Sequence, residues 1–135
     1  MVLHVGDVLP EVEAPKMDRL RLAYMAVSMR DPNLVHMEDD YAARSGLPGV
    51  IAHGTFVVSY AGAAVSRVVG VDAIKRLKVD VTGPVFLGDV LRTRAEVVDV
   101  EPAADGELLR LDLTVNRDDG QTGGRGEAVV VQRSR

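Results

Sequence analysis

Between Gly54 and Gly70 the chain reads Gly-Thr-Phe-Val-Val-Ser-Tyr-Ala-Gly-Ala-Ala-Val-Ser-Arg-Val-Val-Gly, apolar nearly all round and free of Asp and Glu. A helix of that kind has almost no face for water and must be buried on most sides. Every segment after it alternates. Leu77, Val79 and Val81 interleave with Arg76, Lys78 and Asp80; Leu91, Thr93, Ala95 and Val97 with Arg92, Arg94 and Glu96; Leu109, Leu111, Leu113 and Val115 with Arg110, Asp112, Thr114 and Asn116. Period-two alternation predicts half-buried antiparallel strands. Gly83-Pro84 and Leu87-Gly88-Asp89 punctuate them, Pro102 to Gly106 and Asp118-Asp119-Gly120 turn them, and a last strand is expected near Gly126 to Gln132.

Upstream, Val2 to Glu13 suits a short strand ended by Pro10 or Pro15. Met17, Leu20, Leu22, Ala23, Tyr24 and Val27 recur at helical spacing, so Asp18 to Met29 reads as an amphipathic helix capped by Asp18 and stopped by Pro32. Glu38-Asp39-Asp40 supplies the acidic first turn of a second helix through Tyr41-Ala42-Ala43, closed by Gly46 and Pro48. Between the two helices lies an ordered loop, Arg30 to Met37. A sheet with one apolar face and a helix apolar all round solve each other's burial if the sheet curls around the helix. The expectation is an α+β chain of hot-dog architecture, a five-stranded antiparallel sheet wrapped around a long central helix. The helix keeps an uncovered side and the sheet keeps open edges, so a second subunit is expected to cover both.

With 135 residues, 47% apolar and 27% charged, one domain over residues 1–135 is expected. A net charge of −4 argues against DNA or RNA as a partner. The absence of cysteine excludes disulfides, thiol nucleophiles and Cys-based metal sites. No phosphate-binding glycine loop is present. The N-terminus lacks the pattern of a signal peptide, and the longest apolar stretch, near Ala61 to Val71, is interrupted by Arg67, so a cytoplasmic protein outside the membrane is expected. Aromatic residues are only 4% and Trp is absent, which leaves the core to Val, Leu, Ala and Ile.

Of the three histidines, His4, His36 and His53, no two stand at the i, i+4 spacing of a helical metal site, so neither a metal nor an organic cofactor is expected. In Asp31-Pro32-Asn33-Leu34-Val35-His36 a carboxylate and an imidazole share a loop that can turn both toward one point. An Asp and a His holding one water make an acid–base pair suited to neutral pH. The plainer reading has Asp31 capping the turn at Pro32 and His36 capping the next helix. Ile51-Ala52-His53-Gly54 opens the long helix, so N–H groups around Gly54 are unpaired donors able to polarise a carbonyl oxygen. The plainer reading there is a permissive N-cap glycine beside a structural His53.

The stretch from Tyr24 to Gly54, with Asp31-x-Asn33-x-x-His36 and then Ile51-Ala52-His53-Gly54 opening a small-residue helix, resembles the MaoC-like hot-dog dehydratases, including (R)-specific enoyl-CoA hydratases. The resemblance implies that Asp31 and His36 hold and activate the catalytic water, that Gly54 N–H polarises the thioester carbonyl and that Asn33 braces the loop. It implies an acyl-CoA or acyl-carrier substrate, an (R)-3-hydroxyacyl product, and a homodimer or a heteromer with a homologous subunit. Arg30 stands where many members have Gly, Leu34 where Pro is common and Glu38 where Asp is frequent; Arg30, bulky and charged beside the proposed water, is expected to reshape the acyl channel or to mark a subgroup with unusual substrates. Lys75, Arg76 and Lys78 could meet the phosphates of coenzyme A or form a solvated strand face. Met17, Met25, Met29 and Met37 could line an acyl pocket or pack the first helix. Two other functions stay open, a thioesterase on the same fold and a non-catalytic acyl-binding or partner subunit; the lack of a carboxylate between Gly54 and Gly70 weighs against the thioesterase.

Overall fold

A computed structural model describes residues 1–134. Its centre is the apolar helix read from the sequence, α3 (Thr55–Val69), which buries Phe56, Val57, Ala61, Ala64 and Val65. The helix lies against strands β2 (Ile74–Val81), β3 (Leu91–Ala103), β4 (Gly106–Arg117) and β5 (Thr122–Arg133). With the two-residue β1 (Val12–Glu13) these form one antiparallel sheet in the order β1-β3-β4-β5-β2. Alternation places Leu91, Ala95 and Val97 of β3, Leu109, Leu111, Leu113 and Val115 of β4, and Ala128 and Val130 of β5 on the inner face. The register sets Val97 opposite Leu111 and Leu111 opposite Ala128, so apolar rows run across the sheet beneath the helix. Each such Leu or Val contributes about 1.5–3 kcal/mol of burial. This is the expected hot-dog architecture, a curled sheet around a central helix.

Three features of the sheet depart from the sequence reading. Val2 to Glu13 is a strand only at Val12–Glu13, with an isolated bridge between Val8 and Glu96. The segment still runs along β3, where Gly6 N–H donates to Val97 O at 2.8 Å and Leu9 N–H to Ala95 O at 2.9 Å, but Pro10 and Pro15 break the regular ladder. Strand β5 begins at Thr122, ahead of the expected start at Gly126. Its glycines are inside the strand because α3 and β2 press against them: a Cβ at Gly124 would collide with Val57, and one at Gly126 with the Lys78 carbonyl. Pro102 belongs to β3, opposite Glu107, so the turn expected over Pro102 to Gly106 shrinks to the two residues between β3 and β4.

The helices before α3 follow their caps. Helix α1 (Arg19–Met29) starts at Asp18, whose Oδ1 accepts from Arg21 N–H at 2.8 Å, and α2 (Asp39–Arg44) carries Asp39 and Asp40 in its first turn. Met17 is fully buried and Met25 packs on the core. Among the described residues, β2 pairs only with β5, which leaves its other edge open, and no helix is long and apolar enough to cross a membrane.

Candidate active site

Helix α1 positions the first candidate by the way it ends. Arg30 takes up the left-handed conformation, φ 53° and ψ 41°, while its N–H donates to Val27 O at 3.2 Å and Asp31 N–H donates to Ala26 O at 2.9 Å. This paired closure normally carries glycine at the left-handed position. Position 30 therefore asks for glycine on conformational grounds. The Arg30 side chain is exposed, and neither it nor Asp31 is among the residues lining the cleft described below.

The chain then folds tightly from Asp31 to His36. Asp31 Oδ1 accepts from Asn33 N–H at 3.3 Å, Asn33 Oδ1 accepts from Val35 N–H at 3.1 Å, and His36 N–H donates to Asn33 O at 3.0 Å. The expected ordered loop thus contains a short 3-10 turn, Leu34–His36, with Asn33 as its cap. Part of the plainer reading holds as well, since Asp31 does cap the turn through Oδ1. His36 does not cap α2. Its side chain is only 10% exposed, so it is largely inside, and its Nδ1 lies 2.7 Å from Ile51 O. A carbonyl only accepts, so Nδ1 carries the proton and the neutral ring presents Nε2 as an acceptor. That Nε2 stands 3.7 Å from Asp31 Oδ2.

The second candidate segment is tied to the first and to the sheet. Ile51 N–H donates to Val35 O at 3.1 Å and Ala52 N–H to Val85 O at 2.7 Å, which hold Ile51 and Ala52 between the 3-10 turn and the segment after β2. His53 follows, 3% exposed, with its ring stacked on His36 at a centroid distance of 3.7 Å and an interplanar angle of 25°. Its Nε2 lies 3.4 Å from Asp31 O, so that nitrogen carries the proton, and its Nδ1 is buried without a partner among the described residues. Burial pushes the His53 pKa below histidine's ordinary value, against the opposing hydrogen bond to Asp31 and with help from the neighbouring His36. Gly54 comes next as the N-cap of α3, at φ −58° and ψ −25°, a helical conformation open to any residue. Its lack of a side chain matters for another reason, since a Cβ there would sit 3.1 Å from Val81 Cγ2. Among the described residues nothing accepts from the Gly54 or Thr55 N–H.

His36, His53 and Gly54 border a cleft of about 400 Å³ whose walls also include Val57, Val81 and Val85, while Asp31 and Asn33 are not among its lining residues. Nothing in residue spacing signals that the segment from Val81 to Val85 forms the facing wall. That wall is braced by Arg117, 9% exposed, which donates from Nη1 to Pro84 O at 3.0 Å, pairs with Asp119, and lies 3.8 Å from Asp89 and 5.4 Å from the Phe86 ring centroid. None of Met17, Met25, Met29 and Met37 borders the cleft. Lys75, Arg76 and Lys78 are exposed on β2; Arg76 lies 3.6 Å from Glu127, and Lys75 borders a separate cavity of about 430 Å³ near Val68 and Val69, at the other end of α3.

Asp31, His36 and His53 each place one donor atom within 4.8 Å of the other two. Their count would suit a metal, but the two imidazoles are nearly parallel, so their in-plane lone pairs run side by side and do not converge as a tetrahedral ion requires. The arrangement suits proton transfer: a carboxylate oxygen and an imidazole acceptor face one small volume, beside free N–H donors at a helix N-terminus.

Proteins of known structure share this fold. The structure is similar to (R)-hydratase PhaJ1 from Pseudomonas aeruginosa, with a TM-score of 0.84, 27% identity, and coverage of 98% of this chain and 84% of that one. It is similar in fold to the (R)-hydratase from A. caviae involved in PHA biosynthesis, with a TM-score of 0.83, 22% identity, and coverage of 95% and 96%. The ChsH1–ChsH2 complex from Mycobacterium tuberculosis contains another chain of this fold, with a TM-score of 0.83, 20% identity, and coverage of 98% and 100%. Among curated proteins none matches the sequence significantly. The sequence model of the MaoC like domain matches residues 11–116, most of the chain, and with it the protein belongs to the MaoC-like domain family.

Proposed function

We propose that this protein adds water reversibly across the C2–C3 double bond of trans-2-enoyl thioesters, carried by coenzyme A or an acyl carrier, to give (R)-3-hydroxyacyl thioesters. The observation that carries the reading is the 3.7 Å separation of His36 Nε2 and Asp31 Oδ2, with the His36 tautomer fixed by Ile51. The gap is longer than a direct hydrogen bond and short enough for one water oxygen to donate to both acceptors. In hydration the water loses a proton to this pair as its oxygen bonds to C3, and the pair returns a proton to C2. Between those events the negative charge rests on the thioester oxygen, where the Gly54 N–H and the positive end of α3 stabilise it. The (R) configuration is carried over from the (R)-hydratases to which the chain is similar.

Asp31, His36 and Gly54 are the proposed catalytic groups and Asn33 the brace of their loop; no cofactor takes part. A second copy, or a homologous subunit as in the ChsH1–ChsH2 complex, is the proposed cover for the open edge of β2. The test is the loss of enoyl-thioester absorbance when the purified chain meets crotonyl-CoA and longer trans-2-enoyl-CoA substrates, with and without chelator. Hydration that chelator leaves unchanged supports the proposal. Thioester cleavage in place of hydration, or no turnover across the panel, overturns it.

A further inference from the structure

We propose that His53 is a positioning residue for the acid–base pair: its ring face fixes the plane of the His36 imidazole while its Nε2–H fixes the main chain of Asp31. This rests on the hydration reading above. Among the described residues the His36 ring is held by a single in-plane hydrogen bond, Nδ1–H to Ile51 O. One such bond sets where the ring sits but leaves it free to swing about the bond axis, which would carry Nε2 away from Asp31. The stacked face of His53, 3.7 Å from centroid to centroid, blocks that swing. His53 can serve as a stop because it is itself fixed, buried to 3% exposure at the start of α3, where its carbonyl accepts from Phe56 N–H at 3.1 Å.

The same side chain reaches the other partner. Asp31 N–H is bound to Ala26 O and Oδ1 accepts from Asn33 N–H, while Asp31 O faces His53 Nε2. Every main-chain polar atom of Asp31 is thereby held, and Oδ2 is the atom left to face His36. His53 Nδ1 is buried with no partner among the described residues, a cost that a phenyl ring of similar shape would avoid. An imidazole here gains only through Nε2–H, which points to the bond with Asp31 as the reason for a histidine. Charge fits the role as well: a buried, neutral ring can lie against His36 while the latter takes up and gives back a proton, whereas a charged ring would oppose that step.

Three variants separate the two contacts. His53→Phe keeps the stack and removes the donor; kcat is expected to fall about 10-fold with KM within about twofold, a loss typical of a slightly misplaced reacting group. The His36 side-chain nitrogens, read by long-range ¹H–¹⁵N NMR, should still show a single tautomer protonated at Nδ1. His53→Ala removes both contacts, and the same spectrum should show mixed His36 tautomers with a further loss of kcat. If His53→Ala does not fold, His53→Gln, which keeps a donor without a ring, carries that arm with the same spectral expectation. Full activity in His53→Phe, or an unchanged His36 signal in a folded Ala or Gln variant, overturns the proposal. A native chain that hydrates no enoyl thioester overturns the hydration reading instead, and the spectra still report on the His36 ring.

Discussion

Val81 closes over Gly54, so that a Cβ added to the glycine would sit 3.1 Å from Val81 Cγ2. The glycine is favoured by this approach, where an added Cβ would make Val81 give by a few tenths of an ångström, and not by its backbone angles, which suit any residue. Gly54→Ala is expected to lower kcat/KM at least 10-fold, on the scale of a lost oxyanion donor. Val81→Ala in the same chain relieves the crowding but leaves the new methyl group beside the N–H, so the double variant should stay slow. Steady-state hydration kinetics check this, and full recovery in the double variant would mean that crowding alone was responsible.

Asp31 and His36 are expected to behave as one device. Asp31→Asn and His36→Gln should each lower kcat about 100-fold or more, the usual scale for a positioned proton-transfer group, and the double variant should be little worse than the poorer single. His36 is largely buried and bonded to Ile51 O, so circular dichroism and thermal melting must accompany the kinetics. Near-native hydration by either folded single variant removes that residue from the mechanism.

Arg30 carries backbone strain at φ 53°, and among the described residues its exposed side chain makes no hydrogen bond or ion pair that would offset it. Arg30→Gly is expected to stabilise the fold by about 1 kcal/mol, the cost of a non-glycine residue in the left-handed region. Thermal or urea unfolding measures it. Because the side chain is exposed and lines no part of the cleft, substrate preference should stay unchanged; a changed preference would show that Arg30 reaches the acyl group.

Burial of His53 makes stability depend on pH in a defined direction. The unfolded chain takes up a proton at this residue near the ordinary histidine value of about 6.5, whereas the folded chain resists it to lower pH. Between those two values the unfolded state binds more protons, so stability falls as pH drops from about 6.5 and levels off below the folded value. His53→Phe should lose this component. The difference between native and variant Tm plotted against pH isolates it from the carboxylates, such as Asp119 beside Arg117, that titrate lower.

Local chemistry explains which parts of the fold could be read from residues. The Asp18 cap, the acidic start of α2, the apolar α3 and the period-two strands are all signals contained within a few neighbouring positions, and each formed the expected element. The placement of Asp31, Asn33 and His36 in one tight turn is local for the same reason. What escaped depends on contacts between distant segments. Gly124 and Gly126 look like strand breakers until α3 and β2 are seen pressing on them. The stacking of His53 on His36, and the wall from Val81 to Val85 with its Arg117 brace, leave no trace in spacing because contacts between segments far apart in the chain create them.

Strand β5 is made last and yet lies between β4 and β2. Thr82 N–H donates to Gly123 O at 2.9 Å, so the wall facing His36 and Gly54 hangs from β5. When synthesis from the N-terminus has reached Gln121, Asp31, His36, His53 and Gly54 have been made, and so have the residues of β3 and β4. Strand β2 still has no neighbour to pair with, and α3 has no glycine track to settle on. The candidate site can therefore be complete only once residues 122–133 lie between β4 and β2.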